Sequence, residues 1–182
     1  MRKKVALLIK ICHSTIRLPF IKLGNFGGIK CGFPVALSIN SVIQSNKKAK
    51  IILGSRCDIE ENTKISARSG KIEIGERVYI NRNGTIVCHE AITIGEGTTF
   101  GPNIVIYDHD HDFRNAKKGR FKSAPITIGK NVWVGASTII LKGVTIGDNA
   151  VIGAGCVITK DVPDNVVVIN DTQQKIMELK KK

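Results

Sequence analysis

The sequence predicts an all-β fold, a parallel β-helix whose coils each contain three short strands. Three observations point there: aliphatic residues recur at every sixth position, glycine follows many of them, and the same stretch is poor in strong helix formers. From Ile128 the recurrence runs Ile128, Val134, Ile140, Ile146, Ile152 and Ile158, with Gly129, Gly135, Gly147 and Gly153 following four of the six. An amphipathic helix would repeat its apolar face every 3.6 residues or so, and this pattern does not. Six residues supply one short strand and a corner, so each sixth side chain points inward and stacks on its equivalent one coil away.

In chain order, residues 1–49 read as a basic amphipathic segment and lead-in. Arg2, Lys3, Lys4, Lys10, Arg17 and Lys22 surround Leu7, Leu8, Ile11, Leu18 and Phe20, the make-up of a short amphipathic helix. Two destinations suit it, the protein's own assembly or an anionic membrane face. The repeat domain spans 50–168, in five coils opening at Leu53, Ile74, Ile94, Ile128 and Ile146. The fourth residue after each ladder position is small or β-branched, as at Val132, Thr138, Val144 and Ala150, which suits the remaining inward slot. Glycine beside the ladder suits a corner that needs a dihedral closed to other residues. Ile94 to Ile128 covers 34 positions where three hexads take 18, so a loop at 107–125 leaves the prism. Residues 169–182 read as a short tail helix, capped by Asp171 or Thr172 and ending in Lys180 to Lys182, favourable for the helix dipole.

Composition narrows the function classes. A chain of 182 residues, 42% hydrophobic but only 5% aromatic, fits one domain with an aliphatic core. Cys12, Cys31, Cys57, Cys88 and Cys156 are odd in number and scattered, which argues against a disulfide framework and a structural zinc site; a reducing, cytoplasmic setting fits and no metal is expected. The apolar start is broken by Lys10 with no small-x-small cleavage site after it, so no signal peptide is read. The net charge of +13 would attract nucleic acid, an anionic membrane or a polyphosphate alike. Nucleic acid is not expected, because the few aromatic residues are not interleaved with the basic ones as a stacking platform requires.

The loop opens with Asp108-His109-Asp110-His111. An imidazole, with an ordinary pKa near ~6.5, suits proton transfer at neutral pH, and a neighbouring carboxylate can fix its tautomer. The residues alone leave open which histidine is the base and whether Asp108 or Asp110 orients it. A solvated polar turn is the plain alternative.

The run PITIGKNVWVGASTIILKGVTIGDNAVIGAGCVITKDVP (125–163), preceded by YDHDHDF (107–113), resembles the hexapeptide-repeat acyltransferases, and within them the galactoside, maltose and capsular-polysaccharide O-acetyltransferases. The resemblance covers roughly 50–168. It implies a left-handed β-helix, an exception to the right-handed crossover rule that spacing alone could not reveal. It implies a homotrimer with acetyl-CoA between neighbouring prisms, and acetyl transfer to a hydroxyl of a sugar or glycan precursor by a histidine general base without an acyl-enzyme. His109 falls on the catalytic histidine, with His111 as substitute base. Trp133 stands in an N-x-W-x-G pattern shared with sialic acid O-acetyltransferases, where it partners the histidine; packing at a trimer interface is the alternative. The resemblance further implies coenzyme contacts at Ala136, Ala154, Thr159 and Lys160, acceptor contacts at Asn81, Asn83 and His89, and an oxyanion-binding amide around Gly135 or Ala136. Cys88 reads as an inert packing residue. After Pro163 the chain departs from the family, lacking its usual Gly-x-Pro turn, so the family's terminal coenzyme contacts are not carried over. Two rival classes use the same scaffold: a trimeric metal enzyme resembling γ-class carbonic anhydrase, with His89, His109 and His111 as ligands, and a non-catalytic β-helix scaffold.

Overall fold

Each ladder expected from the six-residue period is a column of paired strands. Leu53, Ile74, Ile94, Ile128 and Ile146 are successive register partners, as are Ile59, Ile80, Phe100, Val134 and Ile152 and Ile65, Ile86, Ile106, Ile140 and Ile158. The computed structural model describes residues 2–25, 28–113 and 121–170. Over them the chain is a left-handed parallel β-helix of about six coils with one helix at its amino-terminal end, α1 (Arg2–Gly24).

Three parallel sheets form the prism faces. Sheet 1 holds the strands that open each coil, from Ile29–Cys31 to Thr145–Ile146; sheet 2 runs from Ala36–Leu37 to Val167–Val168, and sheet 3 from Val42–Ser45 to Val157–Ile158. Every ladder side chain lies in one continuous aliphatic core. Burying one such side chain stabilises by roughly 1.5–3 kcal/mol, so core stability is spread over many equivalent rungs.

The structure corrects or extends the sequence reading at four points. First, the β-helix begins at Ile29, one coil earlier than Leu53: Cys31, Leu37 and Ile43 pair with Leu53, Ile59 and Ile65. The period was present there, but a cysteine stands where an aliphatic residue marks the other coils. Second, most glycines beside the ladder do not serve a left-handed backbone. A Cβ on Gly54 would lie 2.5 Å from the Glu76 nitrogen, and one on Gly75 2.6 Å from the Glu96 nitrogen, so these glycines allow one corner to rest on the next. The left-handed residue comes two positions later, commonly asparagine: Asn62, Asn83, Asn103, Asn131, Asn149 and Asn165 have φ between 53° and 61°. Third, the expected loop at 107–125 contains a two-stranded antiparallel hairpin, His109–His111 against Phe121–Ser123. Fourth, α1 lies where the amphipathic helix is expected, and the structure adds that it closes the first coil. Ser14 Oγ accepts the Leu37 N–H at 2.6 Å, Arg17 donates to the Ser38 carbonyl at 2.9 Å, and Leu18 is buried. These contacts satisfy backbone groups that have no preceding coil to pair with. The expected tail helix falls largely on 171–182, outside the described residues.

Candidate active site

The candidate site lies at the corner between sheet 3 and sheet 1, where the strands Thr85–Cys88 and Val105–Tyr107 end. There the chain leaves the prism for the hairpin, and Asp108 and His109 occupy the point of departure. Asp108 is fully buried, and its carboxylate accepts N–H bonds from His89, Glu90 and Ala91 at 2.7 to 3.0 Å. The same carboxylate lies 3.0 Å from His109 Nδ1. One side chain therefore fixes both the preceding coil's corner and the imidazole.

This geometry chooses between the two aspartates. Asp110 is exposed and forms an ion pair with Lys142, away from the imidazole. His109 is sheltered, with 10% of its side chain accessible, whereas His111 is exposed. Around His109 stand His89, with ring centroids 3.9 Å apart, Phe121 at 5.0 Å and Tyr107 at 5.5 Å. Burial, then the neighbouring His109, pushes the His89 pKa below the ordinary histidine value. Phe121 touches His89, His109 and His111, and neither it nor Tyr107 stood out in the sequence. An aromatic in an insertion has no repeat to mark it, and Phe121 reaches this place through its pairing with His111 across the hairpin. Cys88 is buried beside Asp108, its thiol pushed up to about 12 chiefly by burial, which disfavours the thiolate.

The other expected residues divide between two corners. Thr159 and Lys160 follow Ile158 on the same 3-to-1 corner as His109, one coil beyond Lys142. Ala136 and Ala154 follow Gly135 and Gly153 on the corner between sheets 2 and 3, and Ala154 stacks under Gly135. The four thus flank the outer face of sheet 3. Asn81 and Asn83 also occupy the 2-to-3 corner, not the corner of His89 and His109. Asn83 is engaged in a ladder, accepting from Asn62 Nδ2 at 3.3 Å and donating to Asn103 Oδ1 at 3.0 Å. The Gly135 amide donates to the Ile152 carbonyl at 2.7 Å and so is not free for an oxyanion.

Trp133 stands on the outer face of sheet 2, 59% exposed, across the prism from the His109 corner. Its two motif companions have architectural reasons. Asn131 takes a left-handed corner at φ 53°, and a Cβ on Gly135 would meet Ala154 N at 2.5 Å. The indole of Trp133, by contrast, faces outward from the prism. Among the described residues no group of three His, Cys, Asp or Glu side chains is arranged to hold a metal.

Comparison with known proteins agrees with this architecture. Residues 125–160 match the family model described as the hexapeptide repeat of succinyl-transferase. A Saccharomyces cerevisiae protein, provisionally named as an acetyltransferase, is 36% identical over 149 residues, 78% of this chain and 76% of that protein. Galactoside O-acetyltransferase of Escherichia coli is 43% identical over 98 residues, 53% of this chain and 48% of the enzyme. Nodulation protein L of Rhizobium meliloti is 48% identical over 100 residues, 54% of this chain and 55% of that protein, so the chain spans about half the length of these two relatives. Among solved structures, a mutant of AntD, an N-acyltransferase from Bacillus cereus, in complex with an amino-dideoxy sugar nucleotide and coenzyme A, superposes with a TM-score of 0.72 at 20% identity, over 91% of this chain and 90% of that one. That likeness concerns the fold.

Proposed function

Because the chain belongs to the hexapeptide-repeat acetyltransferase family, we propose that it transfers the acetyl group of acetyl-CoA to a hydroxyl of a sugar or glycan precursor, by direct attack and without an acyl-enzyme. The observation that carries this reading is the buried Asp108 held 3.0 Å from His109 Nδ1 at the mouth of the hairpin. With Nδ1–H donated to the carboxylate, Nε2 is the nitrogen left to accept a proton. His109 takes the proton of the acceptor hydroxyl as its oxygen bonds to the thioester carbonyl carbon. His109 returns that proton to sulfur as the carbon–sulfur bond breaks.

His89 is a positioning residue in this scheme. Its ring packs at a tilt against the base, burial and His109 disfavour a second positive charge there, and Phe121 packs against both rings. Asn81 keeps its amide nitrogen for an acceptor hydroxyl, its Oδ1 accepting the Arg82 N–H at 2.8 Å, whereas the Asn83 amide is bonded at both its oxygen and its nitrogen.

The small residues Ala136 and Ala154 on one edge of sheet 3, with Thr159 and Lys160 on the other, suit a pantetheine arm lying along that face, with the Lys160 ammonium available to phosphate. In a homotrimer, Trp133 of one protomer would meet the His109 corner of another; its exposure and its distance from the base in its own chain support that assembly. The same reading gives a cytoplasmic enzyme in peripheral contact with an anionic membrane. No described helix is long and apolar enough to cross a membrane.

The test is thiol release from acetyl-CoA with a panel of sugars and glycan precursors, comparing wild type with His109→Ala. Acceptor-dependent release that vanishes in the variant supports the assignment, and equal rates remove His109 as the base.

A further inference from the structure

α1 has two faces, and only one of them is used by the fold. Ser14 and Leu18 are buried on the prism side, where Lys10 also pairs with Asp58 and, at 3.1 Å, with Glu60. On the opposite side Val5, Leu8, Ile9, Ile16, Phe20 and Leu23 recur at helical spacing and are all exposed, from 52% at Val5 to 81% at Leu23. A soluble surface rarely leaves such a row of large apolar side chains in water without a partner.

The charge around this stripe identifies the partner. The first acidic residue of the chain is Asp58; before it stand eleven lysines and arginines and not one carboxylate side chain. Lys4 and Lys22 border the stripe on one side, and Lys10 and Arg17 on the other are directed into the prism. The first two coils add a groove of about 540 Å³ whose lining includes Lys30, Lys47, Lys48 and Lys50. Among the described residues none of these four is in an ion pair.

We infer that this end of the prism is a membrane-docking surface, on which the outer face of α1 enters the interface of a bilayer while the first-coil lysines meet anionic lipid headgroups. A second copy of the chain fits less well, because apposing two such stripes would bring Lys4 and Lys22 of each copy together, while the carboxylates beside the helix, Asp58 and Glu60, are already held by Lys10. The helix lies on the surface and does not span it, its two inward-directed cations being tied to the prism. In a homotrimer whose threefold axis runs along the prisms, three such surfaces would share one end, which strengthens weak single contacts. The inference deepens the peripheral placement proposed above and rests on that reading, not on acetyl transfer, so the two fail separately.

The full chain is to be sedimented with vesicles of phosphatidylcholine alone and with about 30% phosphatidylglycerol added, at about 0.1 M and 0.5 M salt. Expected are a partition onto the anionic vesicles about tenfold or more above that on neutral ones, and its collapse at high salt. Ile16→Glu with Phe20→Glu is expected to reduce binding at least about tenfold, and Lys47→Gln with Lys48→Gln several-fold, each retaining acetyl transfer to a soluble acceptor. No binding, equal binding to neutral and anionic vesicles, or binding that survives the α1 substitutions overturns the inference. So does a vesicle-free change in oligomeric mass on substituting Ile16 and Phe20, which would assign the stripe to a second copy.

Discussion

The prism wall and the corner that holds His109 are built on opposite logics. In the wall every residue has an equivalent one coil away, so Ile59, Ile80 and Phe100 repeat one job and share its load. At the corner each residue has a job of its own: Asp108 alone joins three backbone amides of the preceding coil to the imidazole. A repetitive scaffold loses stability gradually when one rung is weakened, whereas a singular site loses its chemistry with one atom. Substitutions that affect one region and spare the other test this division.

The largest expected effect is His109→Ala, which removes the proposed general base and should lower kcat by about 10²–10⁴-fold, roughly 3–5 kcal/mol in barrier. The melting temperature should hardly move, because the imidazole is no part of the aliphatic core. A large fall in melting temperature would show that the corner also bears the fold.

Asp108→Asn should strike both regions. The carboxamide cannot present two anionic oxygens to the amides of His89, Glu90 and Ala91 while also accepting from His109, so about 1–3 kcal/mol of stability should go, together with about 10²-fold in kcat. Asp110→Asn is the control: its partner is Lys142, and turnover should stay within about twofold. Equal losses in the two variants would undo the choice of Asp108.

Gly75→Ala probes the wall alone. The added Cβ would stand 2.6 Å from the Glu96 nitrogen and 2.9 Å from its Cα, backbone that cannot step aside singly. Destabilisation of about 1–3 kcal/mol is expected, with activity per folded molecule preserved. The wild-type stability in the alanine variant would mean that coil spacing is looser than the contact indicates.

The same division explains what the sequence disclosed. All three ladders from Leu53 onward were legible, because a period of six is a statement about which residues share a column. The first coil was passed over because Cys31 breaks the aliphatic rule, although Cys31-Gly32, Leu37 and Ile43 keep the period. Glycine's place in the pattern was plain while its cause was not, since a contact between coils has no local signature. At the corner, the insertion was visible as a gap in the period, but the hairpin, the selection of Asp108 and the packing of Phe121 all depend on pairings between distant residues. The period also sorts residues onto corners: Asn81, Asn83 and Trp133 belong to the second strand of their coils, and hence not to the corner that follows the third.

Asn83 is where the two logics meet, and the smallest expected effect lies there. It occupies a left-handed position at φ 61° and joins Asn62 to Asn103 along one corner, as Asn149 joins Asn131 to Asn165 along another. That recurrence argues that asparagine is selected by the corner and not by a sugar. Glycine accepts the same φ without strain, so Asn83→Gly isolates the loss of two exposed amide bonds and should cost about 0.5–1 kcal/mol at most. The KM for the acceptor should stay within about twofold, because an amide already bonded on both sides has little left to offer a hydroxyl. A several-fold rise in KM at unchanged melting temperature would instead make Asn83 a sugar contact, and the wall would then be less separate from the chemistry than its regularity suggests.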